Sequence, residues 1–181
     1  MYKRQASICL ASSLIFLLPG SIFADDFHVA TVISAATLDQ AEAEAPADRV
    51  SDQPIRHVES AEGRLGIGVV HRPLIAAGEP IQGIQHHHQS EVYRVMSGTG
   101  VLVTSARMSE SNALDPDGFV VTNLTGPSDV GVIVDIDDSR PIAEGDIVII
   151  PAGVAHGFSE ITEPITYMVV RVDPDRRVEL K

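Results

Sequence analysis

Cysteine is almost absent from the sequence, because the 181 residues contain only Cys9, near the amino terminus. One thiol can form no intramolecular disulfide and cannot supply a cluster of thiolate metal ligands. The sequence also lacks a Gly-x-Ser-x-Gly elbow and a phosphate-binding P-loop, so these nucleophilic and nucleotide-dependent chemistries have no motif here. A metal site in this chain therefore has to use histidine and oxygen ligands.

Basic residues are scarce as well. Thirteen Lys and Arg oppose 25 Asp and Glu, which gives a formal net charge of −12. This acidic balance argues against nucleic acid and against anionic membrane surfaces as partners. Tryptophan is missing, but a hydrophobic content of 44 % in 181 residues is sufficient for one domain with a buried core.

The sequence has one notable hydrophobic run, Ile8–Leu18, which follows Lys3 and Arg4 and precedes the small residue Ala24. A charged start, a short apolar run and a small residue at the cleavage point are typical of a secretory signal peptide. The run is shorter than the roughly 20 apolar residues that span a bilayer. We therefore expect residues 1–24 to be a signal peptide and the mature protein, free of cysteine, to be periplasmic or secreted.

The rest of the chain predicts a short arm followed by β-strands. In the arm, residues 25–62, Ser34 or Thr37 is expected to cap a short helix that runs to about Ala45. From Gly63 onwards, short alternating segments are separated by turn residues, and no helix is long enough for a crossover, which predicts an all-β sandwich or barrel. The predicted strands lie around Leu65–Val69, Glu91–Ser97, Val101–Val103, Phe119–Leu124, Val130–Ile136, Ile147–Ile150 and Ile165–Val172.

The connections between these strands carry their own predictions. Ser97–Gly100 reads SGTG and predicts a tight turn that reverses the chain into a β-hairpin. The polar segment Arg107–Gly118 predicts a loop, and Asp137–Arg140 a charged turn. Residues 174–181 are expected to form a charged tail.

The stretch Gly83–Gly98, GIQHHHQSEVYRVMSG, contains three consecutive histidines and a glutamate. Residues two apart in a strand share a face, so His86 and His88 are expected to point the same way and His87 the opposite way. Glu91 begins the next strand and can face the same cavity. Imidazole and carboxylate ligands suit iron or manganese, and nickel or zinc less selectively.

A second stretch, Gly145–His156 (GDIVIIPAGVAH), places Pro151, Gly153 and His156 in a fixed order. With Glu91 and the glycine that ends the first stretch, this spacing resembles the two motifs of the cupin superfamily, and in particular small exported bacterial single-domain cupins. The resemblance implies a cupin-type jelly-roll β-barrel over residues 63–173, with a short N-terminal helical arm.

The resemblance also implies a divalent metal ion, manganese or iron first and nickel or zinc as alternatives, near one end of the barrel cavity. The implied ligands are His86, His88, Glu91 and His156, and Glu91 and Tyr93 are the candidate catalytic residues. Tyr93 shares a face with Glu91, so its hydroxyl can orient a ligand or the glutamate. A small-molecule ligand and a homodimer are the partners that the resemblance implies.

The ligand register stays open, because only two residues separate His88 from Glu91. Counting back from Glu91 by the motif spacing puts Gln85 and His87 in the ligand slots instead. The asparagine slot of the second motif holds Glu160, and Arg171 is a candidate for contact with an anionic substrate.

Two functions are compatible with these residues. One is a metal-dependent enzyme of the dioxygenase, decarboxylase, isomerase or lyase type that acts on a small organic molecule. The other is a non-catalytic barrel that binds a metal or a small molecule.

Overall fold

The computed structural model describes residues 29–78 and 80–180, so the predicted signal peptide lies outside the described residues. Within them, an N-terminal helix precedes nine β-strands, and a single turn of π-helix interrupts the strands. None of the described helices has the length and apolar character needed to cross a membrane. The elements are α1 (Ala35–Ala43), β1 (Ser51–Ser60), β2 (Gly63–Arg72), β3 (Gln82–His86), β4 (Ser90–Ser105), β5 (Arg107–Ala113), the π-helix (Val121–Thr125), β6 (Ser128–Val134), β7 (Asp138–Ala143), β8 (Ile147–Ile150) and β9 (Ala155–Asp173).

The helix α1 begins at the predicted cap. The Ser34 hydroxyl accepts a hydrogen bond from the Thr37 backbone amide at 3.2 Å, which satisfies one of the free donors of the first turn. The helix ends at Ala43, slightly before the expected end. The Gln53 side chain donates a hydrogen bond to the Ala41 carbonyl at 2.7 Å, and this ties α1 to β1.

Strands β4 and β9 are the longest in the described part of the chain, and they pair with each other along most of their length. The first half of β4 lies against the second half of β9, from Ser90↔Val172 to Val95↔Tyr167, and the two other halves pair through Leu102↔Phe158 and Thr104↔His156. Strands β2 and β1 extend the sheet beside the second half of β9, and β8 lies beside the first half of β4. Strands β3, β6 and β5 extend it beside the first half of β9, and β7 lies beside the second half of β4.

The two halves of this antiparallel sheet fold over a shared core. The main apolar cluster takes side chains from both halves, and the rings of Tyr93 and Tyr167 stack in it with centroids 4.2 Å apart. Burying each large apolar side chain contributes about 1.5–3 kcal/mol, so this cluster is a main source of stability for the described barrel. The cluster consists of Val70, Tyr93, Val95, Leu102, Ile142, Ile150, Phe158, Ile161, Ile165, Tyr167 and Val169.

The predicted hairpin at Ser97–Gly100 is wrong. The chain continues as one strand from Ser90 to Ser105, with four register shifts between Val95 and Leu102 that bend the strand without reversing it. Gly98 has φ 77°, and a Cβ atom there would collide with the backbone of Pro164. The two glycines of SGTG thus permit a bulged bend, through which β4 passes from one half of the barrel to the other.

Four other local predictions need correction. The predicted loop contains β5, the predicted strand Phe119–Leu124 is replaced by the π-helix, and β7 begins inside the predicted charged turn. Strand β1 lies inside the segment expected to be an arm, and it shows a bulge between Pro54 and Arg56.

Candidate metal centre

Three strands bring His86, Glu91 and His156 together. His86 is the last residue of β3, which pairs with β9 through Ile84↔His156, and Glu91 enters from the start of β4. One side-chain ligand atom from each residue lies within 4.8 Å of the other two. The Nε2 atoms of both histidines are 3.3 Å from Oε2 of Glu91, and all three residues are buried.

The Nδ1 atom of each of the two histidines already has a hydrogen-bond partner. Nδ1 of His156 donates to the carbonyl oxygen of Val154 at 3.0 Å, since a carbonyl can only accept. Nδ1 of His86 lies 2.9 Å from Oγ of Ser128, whose hydroxyl in turn donates to the Gly126 carbonyl at 3.0 Å, so the ring donates to the serine. In the neutral tautomers set by these bonds, both Nε2 lone pairs face the Glu91 carboxylate.

This arrangement fits a cation. Two imidazole lone pairs and a carboxylate oxygen converge on one buried point, where they repel one another unless a metal ion or protons lie between them. Two histidines and one carboxylate are a donor set typical of divalent iron, and manganese, nickel and zinc are compatible with it.

Glu91 is held from two sides. Nε of Arg171 donates to Oε1 at 2.8 Å, and the Tyr93 hydroxyl donates to Oε2 at 2.7 Å. Burial by itself raises the pKa of Glu91, but the Arg171 charge outweighs it and holds the pKa well below its ordinary value. Glu91 is therefore a fixed carboxylate, which leaves Oε2 for the metal and Oε1 for Arg171.

Arg171 is itself fully engaged. Its Nη1 and Nη2 atoms contact the two Asp52 carboxylate oxygens at 3.1 and 2.6 Å, a bidentate pair that links β9 to β1. Burial lowers the pKa of Arg171, but Asp52 and Glu91 raise it further, so it stays charged. Arg171 therefore supports Glu91 and does not stand free for the substrate contact considered from the sequence.

Tyr93 takes one of the two roles expected for it, that of orienting the glutamate. Burial and the neighbouring Glu91 charge raise the pKa of its hydroxyl well above its ordinary value. The hydroxyl therefore stays protonated and donates to Glu91. Tyr93 is thus a positioned donor, and Glu91 is the carboxylate that accepts from it.

His88 does not join the group, which corrects the expected ligand set. Strand β3 ends at His86, so the two-residue alternation does not extend to His88. Its Nδ1 instead lies 2.8 Å from Oδ2 of Asp175, with 40 % of the side chain exposed.

The alternative ligands also lie elsewhere. His87 contacts Asp129 at 3.2 Å on the surface, and the half-buried Gln85 donates to the Gly153 carbonyl at 2.6 Å. Glu160 is partly buried and is not among the grouped residues. The backbone amide of Gly153 donates to the carbonyl of His86 at 2.8 Å, so the turn of the second motif holds the end of the first.

The sequence reasoning missed Asp52 and Ser128, which support Glu91 and His86. Asp52 lies in the segment expected to be an arm, and Ser128 follows an ordinary Gly-Pro turn. Neither position carries a pattern that marks it, because each acts only through a partner that is distant in the sequence.

No protein-family model and no curated protein matches the chain. Solved structures with a similar fold include a protein of Bacillus halodurans, with 14 % identity, covering 86 % of this chain and 95 % of that one, at a TM-score of 0.46. Another is a cupin 2 conserved barrel domain protein of Salinispora arenicola, with 19 % identity, covering 80 % and 91 %, at a TM-score of 0.42. A third is a DMSP lyase of Ruegeria pomeroyi, with 19 % identity, covering 71 % and 54 %, at a TM-score of 0.40.

These TM-scores are below 0.5, so the assignment of the fold rests on the chain's own strands and motifs. The described residues form an antiparallel β-barrel with one short N-terminal helix. Strands β3, β4 and β9 bring the ends of the two cupin-like motifs into contact at His86, Glu91 and His156. The chain therefore has a cupin-type jelly-roll fold with a buried His-Glu-His cluster.

Proposed function

We propose that the protein is a mononuclear metal-dependent cupin enzyme that acts on a small organic molecule. His86, Glu91 and His156 hold the ion. The observation that carries the proposal is the orientation of the two histidines, whose Nδ1 atoms are bound to Ser128 and Val154 so that both Nε2 atoms face Glu91. A merely structural cluster has no need for three converging acceptors.

Iron or manganese is the favoured ion, and nickel or zinc the alternative. Iron and manganese prefer six ligands, so three protein ligands leave coordination positions open, whereas zinc usually takes four ligands. A divalent ion bound there supplies Lewis-acid or redox chemistry to a small ligand.

The chain's own residues keep the site in place for this chemistry. Arg171 and Tyr93 fix the two Glu91 oxygens, so the carboxylate cannot rotate away from the histidines. Phe158 follows His156 by two residues on the same strand, and it packs with Tyr167 in the main apolar cluster that borders the histidines. An apolar wall of this kind excludes water and strengthens the electrostatic interactions of the site.

A second function, a non-catalytic metal-binding barrel, is favoured by one observation. Both Glu91 oxygens are engaged and Tyr93 stays protonated, so these two residues offer no general base.

Measurement of water-proton relaxation with bound manganese separates the two functions. An enzyme needs exchangeable positions on the ion, so water-proton relaxation should be strongly enhanced by the manganese-loaded protein, whereas a closed structural site should show little enhancement.

Metal analysis of the purified protein tests the proposal itself. We expect close to one divalent ion per chain, retained in His88→Ala and lost in His156→Ala with the fold preserved by circular dichroism. His88→Ala is the matched control, because it removes an imidazole from the same histidine-rich region without touching the cluster. If neither iron, manganese, nickel nor zinc co-purifies or rebinds, the metal-dependent function is wrong.

The proposal includes export and a homodimer. Export to the periplasm or beyond is supported by the signal-peptide pattern in residues 1–24, and cell fractionation tests it. The dimer is supported by apolar side chains on the outer face of the sheet, where Ile147 and Ile149 of β8 are 66 % and 71 % exposed while Val148 and Ile150 face the core. We expect Ile149→Lys to lower the mass measured by light scattering to that of one chain.

A further inference from the structure

Arg72 ends β2 and is a partly buried arginine that forms no ion pair with an acid among the described residues. It lies on the same face of β2 as the core residue Val70, so its side chain turns into the barrel. Its Nε donates to the Tyr167 hydroxyl at 3.0 Å, and its guanidinium carbon lies 5.5 Å from the centre of the Phe158 ring. Among residues 29–78 and 80–180, its two terminal nitrogens make no hydrogen bond or ion pair.

The other partly buried or buried arginines of the described chain are paired. Arg171 binds Asp52 and Glu91, and Arg64 binds Glu59 at 2.9 Å. Removing a guanidinium from water costs several kcal/mol, and proteins normally offset this cost with an anion. A phenol hydroxyl and an aromatic ring give Arg72 only a partial substitute, because neither carries a formal negative charge.

Arg72 is also close to the metal centre. Phe158, which its guanidinium contacts, is two residues beyond His156, about 7 Å along the strand. Tyr167, which accepts its hydrogen bond, stacks on Tyr93, and Tyr93 binds Glu91. Burial lowers the pKa of Arg72, but Tyr167, Tyr93 and Glu91 raise it further, so the side chain stays cationic.

We propose that Arg72 binds the carboxylate of a small organic acid, which reaches the metal centre with a second oxygen. This inference rests on the proposed function, and it adds the class of substrate. The planar fork of the two unused nitrogens matches the two oxygens of a carboxylate. Phe158 and Tyr167 then flank the carbon skeleton of the acid as an apolar wall.

The charges near the site favour the same class of ligand. A divalent ion is balanced by Glu91 and Asp52, which leaves the positive charges of Arg171 and Arg72 in excess. Arg171 already uses all three of its nitrogens in contacts with Asp52 and Glu91, whereas the two terminal nitrogens of Arg72 have no partner among the described residues. An anion that neutralises the excess charge therefore has Arg72 as its available partner.

The experiment is a thermal-shift titration of the full chain, with and without manganese, against acetate, butyrate and benzoate. The matching amides serve as uncharged controls, and inorganic phosphate is a competing oxyanion. We expect at least one carboxylate to stabilise the protein and its amide to have no effect. Arg72→Gln should weaken this binding by about ten- to hundred-fold, the usual loss for a charged hydrogen-bonded pair. Arg107→Gln, which removes an exposed arginine paired with Asp135, should leave it unchanged.

The outcomes separate the two proposals. Manganese binding without any carboxylate binding, or equal binding in Arg72→Gln and wild type, overturns the assignment of Arg72 and leaves the metal site intact. Carboxylate binding that depends on Arg72 in a protein that takes up no metal supports Arg72 and contradicts the metal-dependent function. Phosphate binding in preference to all three carboxylates overturns the substrate class. If Arg72→Gln does not fold, Arg72→Lys decides the question, since it keeps the charge and should still weaken binding several-fold because the fork is lost.

Discussion

Replacing Arg171 with methionine should reverse the way in which Glu91 contributes to stability as the pH changes. In the wild type, Arg171 donates to Oε1 of Glu91 at 2.8 Å and holds the pKa of that carboxyl well below its ordinary value of about 4.5. The unfolded chain then binds more protons than the folded chain below about pH 4.5. Glu91 thus stabilises the fold above that pH, and this contribution is lost as the pH falls through the folded pKa.

Without Arg171 the remaining cause of a shift is mainly burial, which raises the pKa of Glu91. The folded chain of Arg171→Met should therefore hold the proton above pH 4.5, and its stability should fall as the pH rises. Removing one partner of a buried ion pair costs about 3–5 kcal/mol, a large fraction of the total stability of a domain. The loss should be small near pH 3–4 and approach the full value at pH 7, at about 1.4 kcal/mol for each pKa unit.

Urea unfolding with EDTA, at intervals between pH 4 and 7, measures this difference. The double variant Arg171→Met with Glu91→Gln is the control, because Asp52 loses its partner in both variants and only the single variant keeps the Glu91 carboxyl, so the double variant should lose the pH dependence due to Glu91. Saturating metal should restore part of the stability of Arg171→Met, about 2.7 kcal/mol at a free concentration 100 times Kd, since the ion replaces the missing positive charge. A pH-independent difference between wild type and Arg171→Met would refute this account of Glu91.

Three further predictions concern the same site and its support. Metal affinity should fall in mild acid, because the Nε2 atoms must be unprotonated to bind the ion. Burial lowers the pKa of His86 below its ordinary 6.5 despite the opposing effect of Glu91, so protonation of His86 should weaken metal binding only below that pH. A flat affinity from pH 7.5 to 5 in a metal titration would contradict histidine ligation. Tyr93→Phe should keep the fold but weaken metal binding about 10- to 100-fold, as is usual when a partner of a ligand is removed, and calorimetry with manganese would contradict this role if the two affinities were equal. Gly98→Ala should destabilise the protein by about 1–3 kcal/mol or more, because φ is 77° and the added methyl group would collide with the Pro164 backbone. An unchanged urea midpoint would mean that the bend in β4 adapts to the methyl group without cost.

The sequence predicted the parts of this protein in which local pattern and tertiary structure agree. The cap at Ser34, the alternation in β2 and the barrel class follow from capping geometry, strand periodicity and turn spacing. The meeting of Glu91 with His156 could be expected only from the paired motifs, since neither stretch by itself says which distant strand lies beside it.

Local pattern failed where a distant segment decides the outcome. The glycines of Ser97–Gly100 are compatible with a reversal or with a bulge, and pairing of β4 with β9 on both sides selects the bulge. Val121–Thr125 has the composition of a strand, but it forms a turn of π-helix, and the side-chain amide of Gln89 can donate to two of its carbonyls. His88 was assigned to the cavity on the assumption that β3 continues, whereas the strand ends one residue into the histidine run.

Strand β9 carries His156 at one end and Arg171 near the other, and its pairing with β2, β3 and β4 crosses both halves of the barrel. It follows β2, β3 and β4 in the sequence, so these strands are synthesised before it. The cluster of His86, Glu91 and His156 consequently cannot assemble until β9 is available. In refolding kinetics, metal binding should follow the slow closure of long-range strand pairs and should lag behind the burial of the tyrosines in β4 and β9.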